Sequence, residues 1–302
     1  MTRAVVTGGA GFIGSHITDL LIEQGVDVVV LDDLSTSDGS NVNAGAEFVQ
    51  GSANDRVLVE SALADADYVF HTAALPRIQP SFDDPMAHEE ANVLSTICCL
   101  EALKDSKRLK KLVISSSSAC YGDVEELPTT ELAPINCMSP YALQKYASEQ
   151  YSLILGERFG IPVVSLRYFN VYGPRSFNAE SRLSAYSSVI GVFNNQLKNK
   201  QTLTITGDGS QSRDFVHVRD VGRANVAAAM SDVTGEVFNV GFGRAYTILE
   251  TARFFSDDYT FIPERMGEAL ATLADISKIK RELGWAPQIT LADGIKELKE
   301  SQ

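Results

Sequence analysis

Tyr141 and Lys145 stand four residues apart in Ser139-Pro140-Tyr141-Ala142-Leu143-Gln144-Lys145, a segment that opens as a helix should. Ser139 is placed to cap the helix and Pro140 falls in its first turn, where a missing N–H costs nothing. Tyr141 and Lys145 then share one face, a turn apart. A phenol titrates near 10, too high for a base at neutral pH, but a nearby ammonium favours the phenolate. Tyr141 is therefore a candidate general base. The run Ile114-Ser115-Ser116-Ser117-Ser118-Ala119-Cys120-Tyr121-Gly122 adds hydroxyls directly after an apolar strand, where one can share a substrate proton with Tyr141. Either pattern alone arises often by chance on helix surfaces and in turns, so their weight rests on the elements that position them.

The first of those elements lies at the N-terminus. Thr2 to Thr7 reads as a buried strand, and Phe12 to Glu23 carries the apolar spacing of a helix packed on a sheet. Gly8, Gly11 and Gly14 lie between or just inside them. The first suits a tight turn, the second lets a pyrophosphate approach the backbone and the third lets helix and strand pack closely. Val26 to Leu31 reads as the next strand and ends in Asp32-Asp33, about 20 residues on, where a carboxylate hydrogen-bonds the adenosine ribose hydroxyls. A carboxylate there repels a ribose phosphate, so the expected cofactor is NAD and not NADP.

Strands and helices go on alternating: Glu47 to Val49, Asp55 to Leu63, Tyr68 to His71, one helix from Pro85 to Leu103, Lys111 to Ser115, and the helix from Tyr141 to Phe159. Alternation of this kind implies an α/β fold, a Rossmann-type doubly wound parallel sheet covered on both faces, with ligands beyond the carboxyl ends of the strands. We expect a NAD-binding domain over residues 1–170, and over 171–302 a smaller C-terminal lobe that mainly binds substrate. The strand-like runs Phe215–Val218 and Val237–Val240 are expected to return to the sheet, near 213–241.

The 302 residues are 44% hydrophobic and 22% charged, with a net charge of −13. That charge opposes nucleic acid or an anionic membrane as partner, so an anionic ligand must be held by local cations. No apolar run approaches the ~20 residues that span a bilayer, and a core strand begins at once, so a cytoplasmic protein is expected. The cysteines Cys98, Cys99, Cys120 and Cys137 lack disulfide-framework or zinc spacing, and the histidines His16, His71, His88 and His217 lack ligand spacing; no metal is expected.

Several ordered blocks together resemble the UDP-glucose 4-epimerase (UDP-galactose 4-epimerase) family of the extended short-chain dehydrogenase/reductase superfamily. Besides the glycine loop and Tyr141/Lys145 they are His71-Thr72-Ala73-Ala74, Asn92-Val93-Leu94-Ser95-Thr96, Leu166-Arg167-Tyr168-Phe169-Asn170-Val171-Tyr172-Gly173-Pro174, Gly207-Asp208-Gly209 with Arg213-Asp214-Phe215-Val216-His217-Val218, and Ala274-Asp275-Ile276-Ser277-Lys278. The resemblance implies Tyr141 as base, Lys145 as its electrostatic partner and ribose ligand, and Ser117 as the catalytic hydroxyl. It implies Asn170 on the diphosphate of a UDP-sugar, with Arg213 and Arg265 clamping its phosphates and uridine side. NAD would be lined by Gly8, Gly11, Phe12, Ile13, Gly14, Asp32, Asp33, Ser35, Thr36, Ser52, Ala53, Thr72, Ala73, Ala74, Asn92, Ser115 and Tyr168. The reaction implied is transient oxidation at C4 of a UDP-hexose and return of the hydride to the opposite face of the 4-keto sugar. A homodimer paired through the helices 85–103 and 141–159 is implied as well.

Related dehydratases carry an Asp-Glu pair after the catalytic hydroxyl, where this chain has Ser118-Ala119. That disfavours a 4,6-dehydratase, and a missing glutamate in the serine block disfavours a decarboxylase. Ser52 stands where an acid often contacts adenine, and Thr206 where an aromatic often lies near uracil. Thr272 is small beside the sugar C2 group, which leaves room for UDP-N-acetylglucosamine. A non-catalytic NAD-binding regulator would have no use for a proton relay and a diphosphate clamp together.

Overall fold

The computed structural model of the chain describes residues 2–176, 188–263 and 269–300. Its strands are β1 (Arg3–Thr7), β2 (Asp27–Asp32), β3 (Glu47–Gln50), β4 (Tyr68–His71), β5 (Lys111–Ser117), β6 (Val163–Tyr168), β7 (Asn170–Tyr172), β8 (Leu203–Thr206), β9 (Ser212–His217), β10 (Glu236–Val240), β11 (Ala245–Thr247) and β12 (Tyr259–Ile262). Seven of them form one sheet in the order β3-β2-β1-β4-β5-β6-β10, with every neighbouring pair parallel. Successive residues feed two separate buried clusters. Val6, Val28 and Val30 face Ile17 and Leu21 of the helix Phe12–Glu23, while Val5, Val29 and Leu31 face Leu63 and Leu100 on the other side. A strand buried on both faces has no polar side to display, which is why these segments read as unbroken apolar runs. Strand order reverses between β1 and β4, and the crevice beyond their carboxyl ends is where such sheets hold ligands.

Several strand bounds shift by a residue or more from expectation, and further differences have a visible cause. Asp55 is the cap of the helix Arg56–Leu63, its carboxylate accepting from the N–H groups of Val57 and Leu58. β5 continues to Ser117 because its pairing with β6 runs on until Ser117 lies opposite Tyr168. The stretch from Pro85 to Leu103 is α-helical over Pro85–Glu89 and Ser95–Leu103 but passes through a π turn at Glu90–Leu94. A π turn shifts the carbonyls out of the usual ladder, and the Asn92 carbonyl is taken instead by the hydroxyls of Ser148 (2.6 Å) and Thr96 (3.0 Å).

The later part of the chain builds a third cluster around Tyr172, Phe193, Phe215 and Ile248. Its strands form a three-stranded sheet, β11-β9-β7, and a β12-β8 pair. The run from Val237 returns to the main sheet as β10. The run from Phe215 does not: β9 pairs parallel with β7 and antiparallel with β11, and it is the helix that follows, Val218–Met230, that packs back onto the helix Phe12–Glu23. Among the described residues no helix is long and apolar enough to cross a membrane.

Candidate active site

A cavity of about 280 Å³ opens beyond the carboxyl ends of β1, β2, β4 and β5. Gly8 turns there with φ +72°, and a Cβ would stand 2.6 Å from the Ala73 nitrogen. At Gly14 a Cβ would run into the Gly8 carbonyl, so helix and strand meet as closely as they do only because that atom is missing. No side chain caps the helix at Gly11, which leaves its positive end facing the cavity and suits a pyrophosphate. Phe12 and Ile13 complete this wall. Asp32 ends β2 with one carboxylate oxygen accepting from Leu34 N (2.8 Å) and the other from Ala10 N (3.0 Å). Burial raises its pKa, against which both N–H groups pull. Each oxygen keeps a lone pair, the requirement for binding ribose hydroxyls. Asp33, Ser35 and Thr36 line the same end, and Ser52 and Ala53 line the side after β3. Donors, small residues and a carboxylate in this order fit an adenine dinucleotide.

Thr72, Ala73, Ala74 and Ser115 line the far end. The Thr72 hydroxyl donates to the Thr7 carbonyl (2.7 Å), which ties β4 to β1 at the reversal point. Tyr168 ends β6 with its hydroxyl against Ser115 (3.0 Å) and donating to Asn225 (2.9 Å), and burial pushes its pKa up to about 12. Asn92 is the exception among the expected cofactor residues. It is fully buried behind the wall, where its side-chain oxygen accepts from Leu75 N (2.8 Å) and its amide donates to Leu75 O and Gln144 Oε1 (3.2 Å each). Its partners make it a clamp on the loop after β4, with no polar group left over for a cofactor.

Tyr141 and Ser117 lie in the wall between this cavity and a second one of about 360 Å³, and line both. Ser139 caps the helix Pro140–Phe159 by accepting from Ala142 N, and Tyr141 N donates to Ser81 Oγ (3.0 Å), which fixes the first turn. The Tyr141 phenol is raised in pKa by burial; a hydrogen bond from Ser117 and the charge of Arg77 pull it back. Lys145 follows one turn later, buried, its pKa brought down to about 8 by burial, with the charge of Glu149 opposing. Glu149 is gripped in turn by Arg167, at 2.6 Å and 2.9 Å.

The second cavity contains Asn170, Arg213, Thr206 and Thr272. Asn170 donates its amide to Asp214 O (3.2 Å) and Thr272 Oγ1 (3.0 Å), which leaves its oxygen as the unengaged end. Arg213 lies at the start of β9, with Nη1 donating to Ser212 O at 3.0 Å. Arg265 lies outside the described residues.

Two residues escaped the sequence reading. Arg77 lines both cavities from the loop after β4. Asp214, with no exposed surface, accepts from Phe242 N (2.6 Å), Gly243 N (2.9 Å) and Ala274 N (3.0 Å), and so joins the segments that carry the second cavity. Asp214 lay inside a quoted motif and could have been found there; Arg77 gave no signal in spacing or periodicity. Among the described residues no group of three His, Cys, Asp or Glu could hold a metal ion.

Fold and site together define a doubly wound, dinucleotide-dependent enzyme in which Tyr141 stands in the wall of an adjoining ligand cavity. Residues 4–241 match the NAD dependent epimerase/dehydratase family, and the chain belongs to it. It is 38% identical, over 97% of its own length and 96% of the relative's, to a putative UDP-glucose 4-epimerase of Methanocaldococcus jannaschii. It superposes with a TM-score of 0.93 and 34% identity on the UDP-glucose 4-epimerase of Thermotoga maritima, solved with UDP-glucose, covering 99% and 98% of the two chains. It is also similar to the UDP-glucuronic acid 4-epimerase of Bacillus cereus, solved with UDP-glucuronic acid and NAD, with a TM-score of 0.89, 31% identity and coverage of 99% and 98%. The protein is thus a UDP-glucose 4-epimerase-like isomerase, with NAD as its cofactor.

Proposed function

We propose that this enzyme interconverts the C4 epimers of a UDP-hexose, UDP-glucose and UDP-galactose in the first place. The single observation behind this reading is the wall shared by the two cavities, which holds both the Tyr141 phenol and the Ser117 hydroxyl. NAD in the first cavity supplies a hydride acceptor that also returns the hydride. Tyr141 takes the proton of the sugar 4-hydroxyl, Ser117 steadies that oxygen, and the same phenol gives the proton back. Lys145 beneath the phenol serves the ribose and the local charge. Asn170, Arg213 and Arg265 serve the diphosphate and uridine, with the Asn170 amide leaving Thr272 to do so. Binding energy spent on the nucleotide, away from the reacting carbon, leaves the sugar free to present either face.

The turn Ser118–Tyr121 offers no carboxyl next to Ser117, where the related dehydratases carry their Asp-Glu pair, which favours epimerisation over 4,6-dehydration. Thr272 bordering the cavity leaves space near the sugar, and UDP-N-acetylglucosamine is the second substrate we propose. Incubation with UDP-galactose should yield UDP-glucose, and Tyr141→Phe should lower turnover ~10²-fold or more. A Phe variant of near-normal rate sinks the assignment. We also propose a homodimer: Leu143 and Ile154, 57% and 63% exposed, are apolar positions on the helix Pro140–Phe159, and Met86 stands 70% exposed on the helix Pro85–Glu89 that packs against it. Light scattering that returned the mass of one chain would contradict this.

A further inference from the structure

Arg77 has the backbone angles φ 90° and ψ 140°, a conformation that non-glycine residues rarely adopt. Such strain, on the order of 1–3 kcal/mol, persists where the surroundings over-determine it, and it clusters at functional sites. The surroundings here are the two hydrogen bonds by which buried Asn92 clamps Leu75, two residues earlier, and the short helix Ile78–Asp83 that starts immediately afterwards. The result places Arg77 in the wall that the two cavities share, which Tyr141 and Ser117 also line. Among the described residues no carboxylate lies within ion-pair distance of it. Burial works against its charge, and the group that offsets this is the Tyr141 phenolate.

We propose that Arg77 is a second positioning cation of the catalytic phenol, beside Lys145, and favours the anionic form that Tyr141 needs as a base. This rests on the reading of Tyr141 as the base. Apart from Lys145, the other groups around the phenol are neutral or committed elsewhere. Ser117 at the end of β5 is neutral, Ser81 of the helix Ile78–Asp83 is spent on the Tyr141 N–H, and the Tyr168 hydroxyl is bonded to Ser115 and Asn225. On its own helix, Lys145 interacts with the charge of Glu149. A guanidinium stays protonated throughout, so Arg77 gives and takes no proton. The proton drawn from the sugar hydroxyl neutralises the phenolate, and its return restores the pair.

The test compares wild type with Arg77→Gly, which suits the backbone and lacks the cation, and with Arg77→Lys, which keeps it. Arg77→Asn replaces the glycine variant if that fails to fold. Two readouts are taken: the acid limb of kcat/KM for UDP-galactose against pH, and the tyrosinate absorbance of substrate-free protein, assigned by its loss in Tyr141→Phe. Arg77→Gly should move both upward by about one pH unit, the lower end of what one close opposite charge does. Arg77→Lys should move them less. The proposal fails if Arg77→Gly leaves both where they are in the wild type, or if Arg77→Lys moves them as far as Arg77→Gly does. It also fails if Arg77→Gly keeps the limb but selectively loses turnover of UDP-glucuronic acid, which would make Arg77 a carboxylate ligand. Wild-type protein that does not epimerise UDP-galactose would defeat the functional reading, while the substrate-free titration would still decide the pairing.

Discussion

Asp214 shows what one buried carboxylate can organise. Burial pushes its pKa up to about 6, and three backbone N–H groups pull the other way. Those N–H groups belong to the chain after β10 and to Ala274, while the Asp214 carbonyl takes the Asn170 amide, so one residue sets the spacing of the second cavity. Asp214→Ala orphans three buried donors, each worth about 1–3 kcal/mol when left unpaired. A loss of roughly 3 kcal/mol or more is expected in urea unfolding, and a loss under about 1 kcal/mol would show that water replaces the carboxylate. At this scale the sequence disclosed what local spacing encodes. Tyr141 and Lys145 are linked by a helical turn, which pattern reveals, whereas pattern gave only a run of serines at a strand end and the resemblance singled out Ser117 within it. Arg77 and the clamp role of Asn92 depend on a positive φ and on contacts across the fold, which no local pattern carries.

Among the elements, the π turn at Glu90–Leu94 explains why the helix from Pro85 could be anticipated and its purpose could not. The apolar spacing of a helix survives one inserted residue, so the sequence reads as continuous. The turn brings Asn92 under the loop after β4 and commits its carbonyl to Ser148 on the neighbouring helix. Asn92→Ala should therefore loosen the loop that carries Thr72 to Leu75, and weaken NAD binding about tenfold, or about 1.4 kcal/mol, in a fluorescence titration. Unchanged affinity would mean that the loop holds itself. The strands of the main sheet were legible because burial on both faces leaves an unmistakable apolar run. β9 was misassigned to that sheet because a run such as Phe215-Val216-His217-Val218 records burial and says nothing about which neighbour supplies it.

For the molecule as a whole, acid should be destabilising. His71 is fully buried between Thr7 and Thr96, and burial, aided by the charge of Lys145, brings its pKa down to about 3. Burial likewise lowers His217 to about 3, helped by Arg219. Glu297 lies 3.4 Å from His217 and would favour its charge, but Arg219 also pairs with that carboxylate, so burial prevails. Below about pH 6.5 the unfolded chain protonates both rings and the folded chain does not, until about pH 3. Unfolding free energy should thus fall with pH through that window, by about 1.4 kcal/mol per pH unit for each histidine. Denaturation at several pH values measures the slope, and a flat profile between neutral and weakly acidic pH would refute it. Replacing His71 by Asn should remove part of the dependence.

The place of β10 also bears on how the protein is made. β6 is buried along its whole length, and one of its two hydrogen-bonding edges is met only by residues 236–240. A ribosome delivers those residues roughly 70 positions after β6 has emerged, at about 5–20 residues per second. For that interval the nascent sheet carries an open apolar margin, the kind that recruits other chains. Completion of the seven-stranded sheet thereby waits until residues 236–240 have been translated.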